Sequence, residues 1–119
     1  MKILIVDDSK AMRMIVKRTL RQAGYEDHVI EEANNGVEAY QMIQASAPDL
    51  VLSDWNMPEM NGLQLLQTLK QNKLEIKLGF VTSEGTPEMK QKAEEEGALF
   101  LISKPFTVET FQQTLAQVL

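Results

Sequence analysis

The sequence contains no cysteine, which excludes disulfide bonds, thiol nucleophiles and zinc sites with cysteine ligands. Its only histidine, His28, lies at the edge of a predicted strand, far along the pattern from the acidic residues described below, and we predict a structural role for it. No apolar run approaches the roughly 20 residues that cross a bilayer, and the run at residues 2–6 is too short for a signal peptide. We therefore predict no membrane span and expect the protein in the cytoplasm.

Signatures of nucleotide and nucleic-acid binding are also missing. The sequence has neither a Gly-x-Gly-x-x-Gly motif nor a Walker lysine motif, so nucleotide binding is unsupported. The formal net charge of -5 argues against binding nucleic acid, which needs a concentrated basic face. Asp54-x-Asn56 opens like a calcium loop, but Pro58 and Glu59 stand where a ligand and the turn glycine belong. We expect the partners to be proteins.

A chain of 119 residues with 44% hydrophobic and 24% charged residues is typical of one globular domain, which we place at residues 1–119. Charged residues cluster in two places, the run Glu94–Glu96 and a basic group on the first predicted helix. We interpret both clusters as solvated helix faces. The basic group comprises Lys10, Arg13, Lys17, Arg18 and Arg21.

Short apolar runs predict five strands, and residues between them recur at helical spacing. The predicted strands are residues 2–6, 29–30, 49–53, 77–81 and 98–102. Strict alternation of buried strands with helices implies a parallel sheet that is covered on both faces and joined by right-handed crossovers. We predict an α/β fold of the (βα)5 type, a doubly wound, flavodoxin-like parallel sheet with strand order 2-1-3-4-5.

Turn and capping residues set the predicted helix boundaries. Gly24 and Gly97 are predicted to end the first and fourth helices, while Thr86-Pro87 and Thr107 are predicted to begin the fourth and fifth. The apolar spacing also predicts core-facing side chains, among them Ile15 and Val37.

Acidic residues follow two of the predicted strands. Asp7 and Asp8 come directly after the first strand, and Asp54 comes directly after the third. Because the carboxyl ends of parallel strands share one edge of a sheet, these acids should lie together and repel one another unless a divalent cation is bound. Mg²⁺ suits such a set of oxygen ligands, to which the backbone carbonyl of Asn56 could be added. We predict a Mg²⁺ site here.

Two other side chains are predicted at the same edge. Thr82 ends the fourth strand with a hydroxyl that can donate to a phosphoryl oxygen. Lys104 follows the fifth strand and precedes Pro105, which biases the lysine backbone toward an extended conformation. Each of these residues taken alone is an ordinary strand or surface residue. Together with the acids they indicate metal-assisted phosphoryl transfer.

The same residues resemble the receiver domain of two-component response regulators. The resemblance covers the whole chain, and the stretch Ser53–Pro58 is most similar to single-domain chemotaxis receivers. Five motifs occur in the order and at the spacing of that family: Val6-Asp7-Asp8, Ser53-Asp54-Trp55-Asn56-Met57-Pro58, Gly62, Val81-Thr82 and Lys104-Pro105-Phe106.

This resemblance implies that Asp54 accepts a phosphoryl group from the phosphohistidine of a sensor histidine kinase or phosphotransfer protein. It also implies that Asp7 and Asp8 hold Mg²⁺ with Asp54 and the Asn56 carbonyl, and that Thr82 and Lys104 contact the phosphoryl group. Such a receiver catalyses its own phosphorylation and dephosphorylation and has no separate substrate. A downstream protein would bind the face formed by helix 4, strand 5 and helix 5.

One position departs from the family pattern. Receivers commonly place an aromatic or histidine switch residue three positions before the lysine, and Leu101 stands there. Neighbouring Phe100 should point to the opposite face of the sheet because side chains alternate along a strand. We therefore expect switching to depend mainly on Thr82 and the loop before helix 4.

Two other interpretations use similar residues. A haloacid-dehalogenase-type phosphatase also combines a strand-end aspartate, Mg²⁺, a hydroxyl and a lysine, but it requires Asp-x-Asp where this chain has adjacent Asp7 and Asp8. A receiver-like binding module that is not phosphorylated is disfavoured by the presence of Asp54 and Lys104. Turnover of a phosphate ester would indicate the phosphatase, and failure to take up any phosphoryl group would indicate the binding module.

Overall fold

The computed structural model describes residues 1–119 and contains one five-stranded parallel sheet. The strands are β1 (Lys2–Val6), β2 (Val29–Ala33), β3 (Leu50–Ser53), β4 (Leu78–Thr82) and β5 (Leu101–Ser103). The helices are α1 (Lys10–Leu20), α2 (Gly36–Ala45), α3 (Gly62–Gln71), α4 (Pro87–Glu95) and α5 (Val108–Val118). The strand order is β2-β1-β3-β4-β5. The predicted flavodoxin-like fold and its strand order are confirmed.

Polar side chains begin each of the five α-helices. Each of five capping residues accepts a hydrogen bond from a backbone amide in the first turn, which satisfies a donor that the helix itself cannot. The caps are Ser9, Asn35, Asn61, Thr86 and Thr107. Gly97 has a φ angle of 96° just after the end of α4, as predicted for a helix stop. Gly24 also has a positive φ angle, 104°, but it lies within a π-helical segment, Arg21–Tyr25, so α1 ends at Leu20, earlier than predicted. None of the helices is both long and apolar enough to span a membrane.

Hydrophobic side chains pack on both faces of the sheet. One core contains Leu4, Val51 and Phe80, and the other contains Ile3, Leu52 and Phe111. Leu101 packs against the first core and Phe100 against the second, which confirms that these neighbours face opposite sides. Two side chains predicted to face the core are instead exposed: Ile15 by 43% and Val37 by 38%.

Four strands differ from their predicted bounds. Strand β3 begins one residue later, at Leu50, and strand β4 is shifted by one residue, to Leu78–Thr82. Strand β2 extends to Ala33 because it pairs in register with β1 as far as Val6. Glu31 and Glu32 also contact Lys2 and Arg13, at 3.3 and 3.0 Å. Strand β5 covers Leu101–Ser103 only. The preceding residues bond to β4 outside the regular ladder, with the Leu99 amide donating to the Leu78 carbonyl at 2.8 Å.

Candidate metal and phosphoryl-transfer site

The structure brings the three predicted acids together at the carboxyl edge of the sheet. Val6 and Ser53 are register partners on adjacent strands β1 and β3, so the residues that follow them leave the sheet side by side. Carboxylate oxygens of Asp7, Asp8 and Asp54 lie within 4.8 Å of one another. Asp7 is buried, Asp8 is exposed and Asp54 is intermediate. The cluster is therefore buried at Asp7 and accessible to solvent at Asp8.

Asp7 is held through all four of its polar atoms. Its amide donates to the Ala33 carbonyl at 3.1 Å, and its Oδ1 accepts from the Ser9 amide at 2.9 Å. Its Oδ2 lies 3.5 Å from Lys104 Nζ, and its carbonyl accepts from Arg13 Nη1 at 2.7 Å. The position of this acid is therefore determined by β2, α1 and the loop after β5 together.

Sequence reasoning missed the contribution of Arg13. The interpretation of Arg13 as part of a solvated basic face is wrong, because the residue is only 9% exposed. A signal was present: Arg13, Val16 and Leu20 are spaced three and four residues apart, so they share the buried face of α1.

Asp54 is held by a tightly closed loop between β3 and α3. The Asp54 amide donates to the Val6 carbonyl at 2.8 Å, and Oδ1 accepts from the Trp55 amide at 2.8 Å. A Cβ atom at Gly62 would overlap the Asp54 carbonyl and approach Phe80 to 2.7 Å. Only glycine permits α3 to begin this close to the acid.

The pKa of Asp54 is raised above the ordinary aspartate value of 3.8, chiefly because partial burial desolvates the carboxylate. The positive charge of Lys104 opposes this shift, and the negative charge of Asp7 adds to it. The Trp55 amide and the Thr82 hydroxyl also favour the ionised form. Ionisation of Asp54 thus costs free energy in the metal-free protein, and a bound cation would reduce this cost.

The donor set fits Mg²⁺. Three carboxylates within 4.8 Å supply hard oxygen ligands, and Asp8 at the exposed side leaves room for the water molecules that this ion retains. The Asn56 carbonyl lies in the exposed loop after Asp54 and accepts no backbone hydrogen bond, so its lone pairs are free. No nitrogen or sulfur ligand belongs to the cluster.

Thr82 and Lys104 lie at the same carboxyl edge of the sheet as the acids. Thr82 is fully buried at the end of β4, and its Oγ1 accepts from the Glu84 amide at 3.3 Å. The Lys104 amide donates to the Thr82 carbonyl at 2.8 Å, which joins the loop after β5 to the end of β4. The peptide between Lys104 and Pro105 is cis.

The loop between β4 and α4 lies directly against β5. A Cβ atom at Gly85 would overlap the Ser103 hydroxyl and lie 3.5 Å from Leu101 Cδ2. Leu101 is partly buried and presents only carbon atoms to this loop. Motion of the loop would therefore press against the Ser103 hydroxyl first and against the apolar Leu101 side chain next.

A cavity of about 520 Å³ lies at the opposite edge of the sheet, between the ends of α3 and α4. Its lining includes Leu69, Ile76 and Glu96 but none of the clustered acids. The candidate site is not this cavity, because the acids, the Thr82 hydroxyl and the Lys104 amine converge at the carboxyl edge of the sheet.

The raised pKa of Asp54 predicts a pH-dependent stability difference. An aspartate with a raised pKa in the folded state contributes most to stability below the unfolded value of 3.8, and this contribution is lost as the pH rises through the raised value. In EDTA, Asp54→Asn should therefore gain stability over the native protein as the pH rises, by about 1 kcal/mol at neutral pH, the scale for like charges near a surface. Urea unfolding at several pH values measures the difference, and a pH-independent difference would contradict the prediction.

Comparison with known proteins agrees with this geometry. Residues 3–116 match the response regulator receiver domain family. The chain is 43% identical to the chemotaxis protein CheY1 of Helicobacter pylori, over all of this chain and 97% of the relative. It is 40% identical to the chemotaxis protein CheY homolog of Campylobacter jejuni, over all of this chain and 92% of that protein.

Solved structures show the same likeness. The chemotaxis protein CheY4 of Vibrio cholerae superposes with a TM-score of 0.84 at 38% identity, covering 99% of this chain and 98% of that one. The order of the strands, the cluster of acids at their carboxyl ends and these full-length matches lead to one assignment. The chain belongs to the response regulator receiver family of two-component signalling proteins.

Proposed function

We propose that residues 1–119 form a single receiver domain that works as a phosphorylation-controlled switch in the cytoplasm, in chemotaxis signalling. Asp54 accepts a phosphoryl group from the phosphohistidine of a sensor histidine kinase or phosphotransfer protein, in a reaction that depends on Mg²⁺. One observation supports the proposal: the Asp54 carboxylate clusters with Asp7 and Asp8 and interacts with both Thr82 and Lys104.

The chemistry follows from the contacts of Asp54. The Asp54 Oδ1 accepts from the Trp55 amide, which orients the carboxylate, and one carboxylate oxygen attacks phosphorus. The P–N bond to the donor histidine breaks, and its electron pair goes to the imidazole nitrogen. Asp7, Asp8, Asp54 and the Asn56 carbonyl would hold Mg²⁺, which when bound would supply positive charge next to the phosphoryl oxygens.

Lys104 and Thr82 then contact the transferred group. The Lys104 ammonium, now 3.5 Å from Asp7 Oδ2, moves to a phosphoryl oxygen, because the phosphoryl group adds almost two negative charges beside it. The Thr82 hydroxyl, which accepts from the Glu84 amide, donates to a second phosphoryl oxygen. Both contacts pull on loops: the loop after β4 leads into α4, and the loop after β5 leads into α5.

The regulated face is formed by α4, β5 and α5. Leu99 is 45% exposed beside β5, and the loop at Gly85 touches the strand directly. A downstream target protein binds this face when the loops move. The receiver catalyses its own phosphorylation and dephosphorylation, and it turns over no separate substrate.

Phosphoramidate tests the proposal because it carries the same P–N bond as phosphohistidine. Native protein in Mg²⁺ should gain the mass of one phosphoryl group per chain, and EDTA should prevent the gain. Intact-protein mass spectrometry measures both. Continuous release of phosphate from an ester such as p-nitrophenyl phosphate would instead support the phosphatase, and absence of any phosphoryl group with Mg²⁺ present would support the unphosphorylated binding module.

A further inference from the structure

Arg13 and Glu32 form a partly buried connection next to the acid cluster. Arg13 Nη1 donates to the Asp7 carbonyl at 2.7 Å, and Arg13 Nε donates to Glu32 Oε1 at 3.0 Å. Arg13 belongs to α1, Asp7 follows β1 and Glu32 belongs to β2. One guanidinium group thus joins three elements at the base of the site.

The burial of Arg13 calls for a physical reason. Only 10% of its side chain is exposed, and removing a charged group from water costs free energy unless its hydrogen bonds are replaced. The planar guanidinium meets this requirement by donating in two directions from one rigid group, which a lysine ammonium on a flexible stem does less well.

The contact on Asp7 fixes the peptide that joins the two neighbouring acids. The Asp7 carbonyl belongs to the Asp7–Asp8 peptide group, so its hydrogen bond to Arg13 restricts rotation of that planar group. The orientation of this peptide determines where the Asp8 side chain leaves the backbone. Asp8 is exposed and makes none of the side-chain hydrogen bonds that hold Asp7, so its placement depends on the backbone.

We propose that Arg13, oriented by Glu32, is a positioning residue that sets the geometry of the acids for Mg²⁺. This inference rests on the proposed function, because it assigns Arg13 a role at the metal site described there. Arg13 touches neither metal nor phosphoryl group. It acts through the backbone of Asp7.

The loss of charge and the loss of positioning predict opposite changes in cation affinity when Arg13 is replaced. Loss of a positive charge near three carboxylates should by itself strengthen the binding of any cation. Loss of positioning should weaken binding instead, and more for Mg²⁺ than for Ca²⁺, since Mg²⁺ demands nearly ideal octahedral geometry and Ca²⁺ tolerates irregular sites.

Calorimetric titration with Mg²⁺ and with Ca²⁺ separates these effects. Arg13→Met should weaken Mg²⁺ binding by about tenfold or more, the range for residues that support metal ligands, and should weaken Ca²⁺ binding by a smaller factor. Arg18→Met is the matched control, because it removes the same charge from an exposed position on the same helix. It should leave both affinities within about twofold, as expected for a screened surface charge.

A second variant covers the case in which Arg13→Met does not fold. Glu32→Met retains Arg13 but removes the oxygen that accepts from its Nε, so it loosens the orientation of Arg13 and should also weaken Mg²⁺ binding more than Ca²⁺ binding. Circular dichroism shows which variants are folded. Unchanged or tighter Mg²⁺ binding in the folded variants, or an equal loss of Mg²⁺ and Ca²⁺ affinity, would overturn the inference. If the native protein bound no Mg²⁺, the metal dependence of the proposed function would fail first.

Discussion

The Asp54→Asn variant should take up no phosphoryl group from phosphoramidate under conditions that modify the native protein fully. The amide nitrogen and oxygen of asparagine lack the charge of a carboxylate, so neither atom is an effective nucleophile toward phosphorus. Because asparagine has nearly the same shape as aspartate, the loop between β3 and α3 should stay closed. Intact-protein mass spectrometry gives the extent of modification, and circular dichroism gives the fold.

Asp49→Asn is a matched control for this variant. Asp49 precedes β3 and accepts from the Lys2 amide at 2.7 Å at the opposite end of the strand from Asp54. It should be phosphorylated as fully as the native protein, because an asparagine oxygen can accept the same hydrogen bond. Full modification of Asp54→Asn would mean that another residue is the acceptor.

The Thr82→Ala variant should lose the response of distant residues to phosphorylation while keeping the local one. Beryllofluoride mimics the phosphoryl group on an aspartate, and in the native protein it should shift NMR signals around Asp54 and across residues 82–104. Without the Thr82 hydroxyl, its hydrogen bond to the bound beryllofluoride is lost, and the loop at Gly85 is not drawn inward. Signals around Asp54 should still shift.

Two further variants separate the hydroxyl from the packing beneath it. Thr82→Ser retains the hydroxyl and should retain the distant shifts. Leu101→Ala removes apolar contact but no polar atom, and it should alter the distant shifts much less than Thr82→Ala. A distant response that is abolished by Leu101→Ala and preserved in Thr82→Ala would contradict this mechanism of coupling.

The fold was predictable from the sequence because short apolar runs, capping residues and turn glycines agree with one another. Gly97 and Thr107 end and begin helices where local chemistry places them. The bounds of β2 were not predictable in this way. Glu31 and Glu32 look like the end of a strand, but in the folded protein they pair in register with Leu4 and Ile5 of β1.

The candidate site, like the fold, was predictable from the sequence only in part. Residues at the ends of strands were predictable because parallel strands share one edge, and the family motifs identified those residues independently. The depth of each side chain depends on tertiary packing. Ile15 follows the apolar pattern of α1 and is exposed, whereas Arg13 is charged and lies buried beneath the acids.

The turn after α3 divides the functional groups of the chain into two sets. All three clustered acids precede this turn, which contains Lys73 with a φ angle of 57°, and both Thr82 and Lys104 follow it. Under the proposed function, a phosphoryl group on the amino-terminal segment would be contacted by side chains of the carboxyl-terminal one. If the receiver were split at this turn into two fragments, phosphorylation should reversibly strengthen their association, and reassembly of the fragments would then report the activity of the kinase.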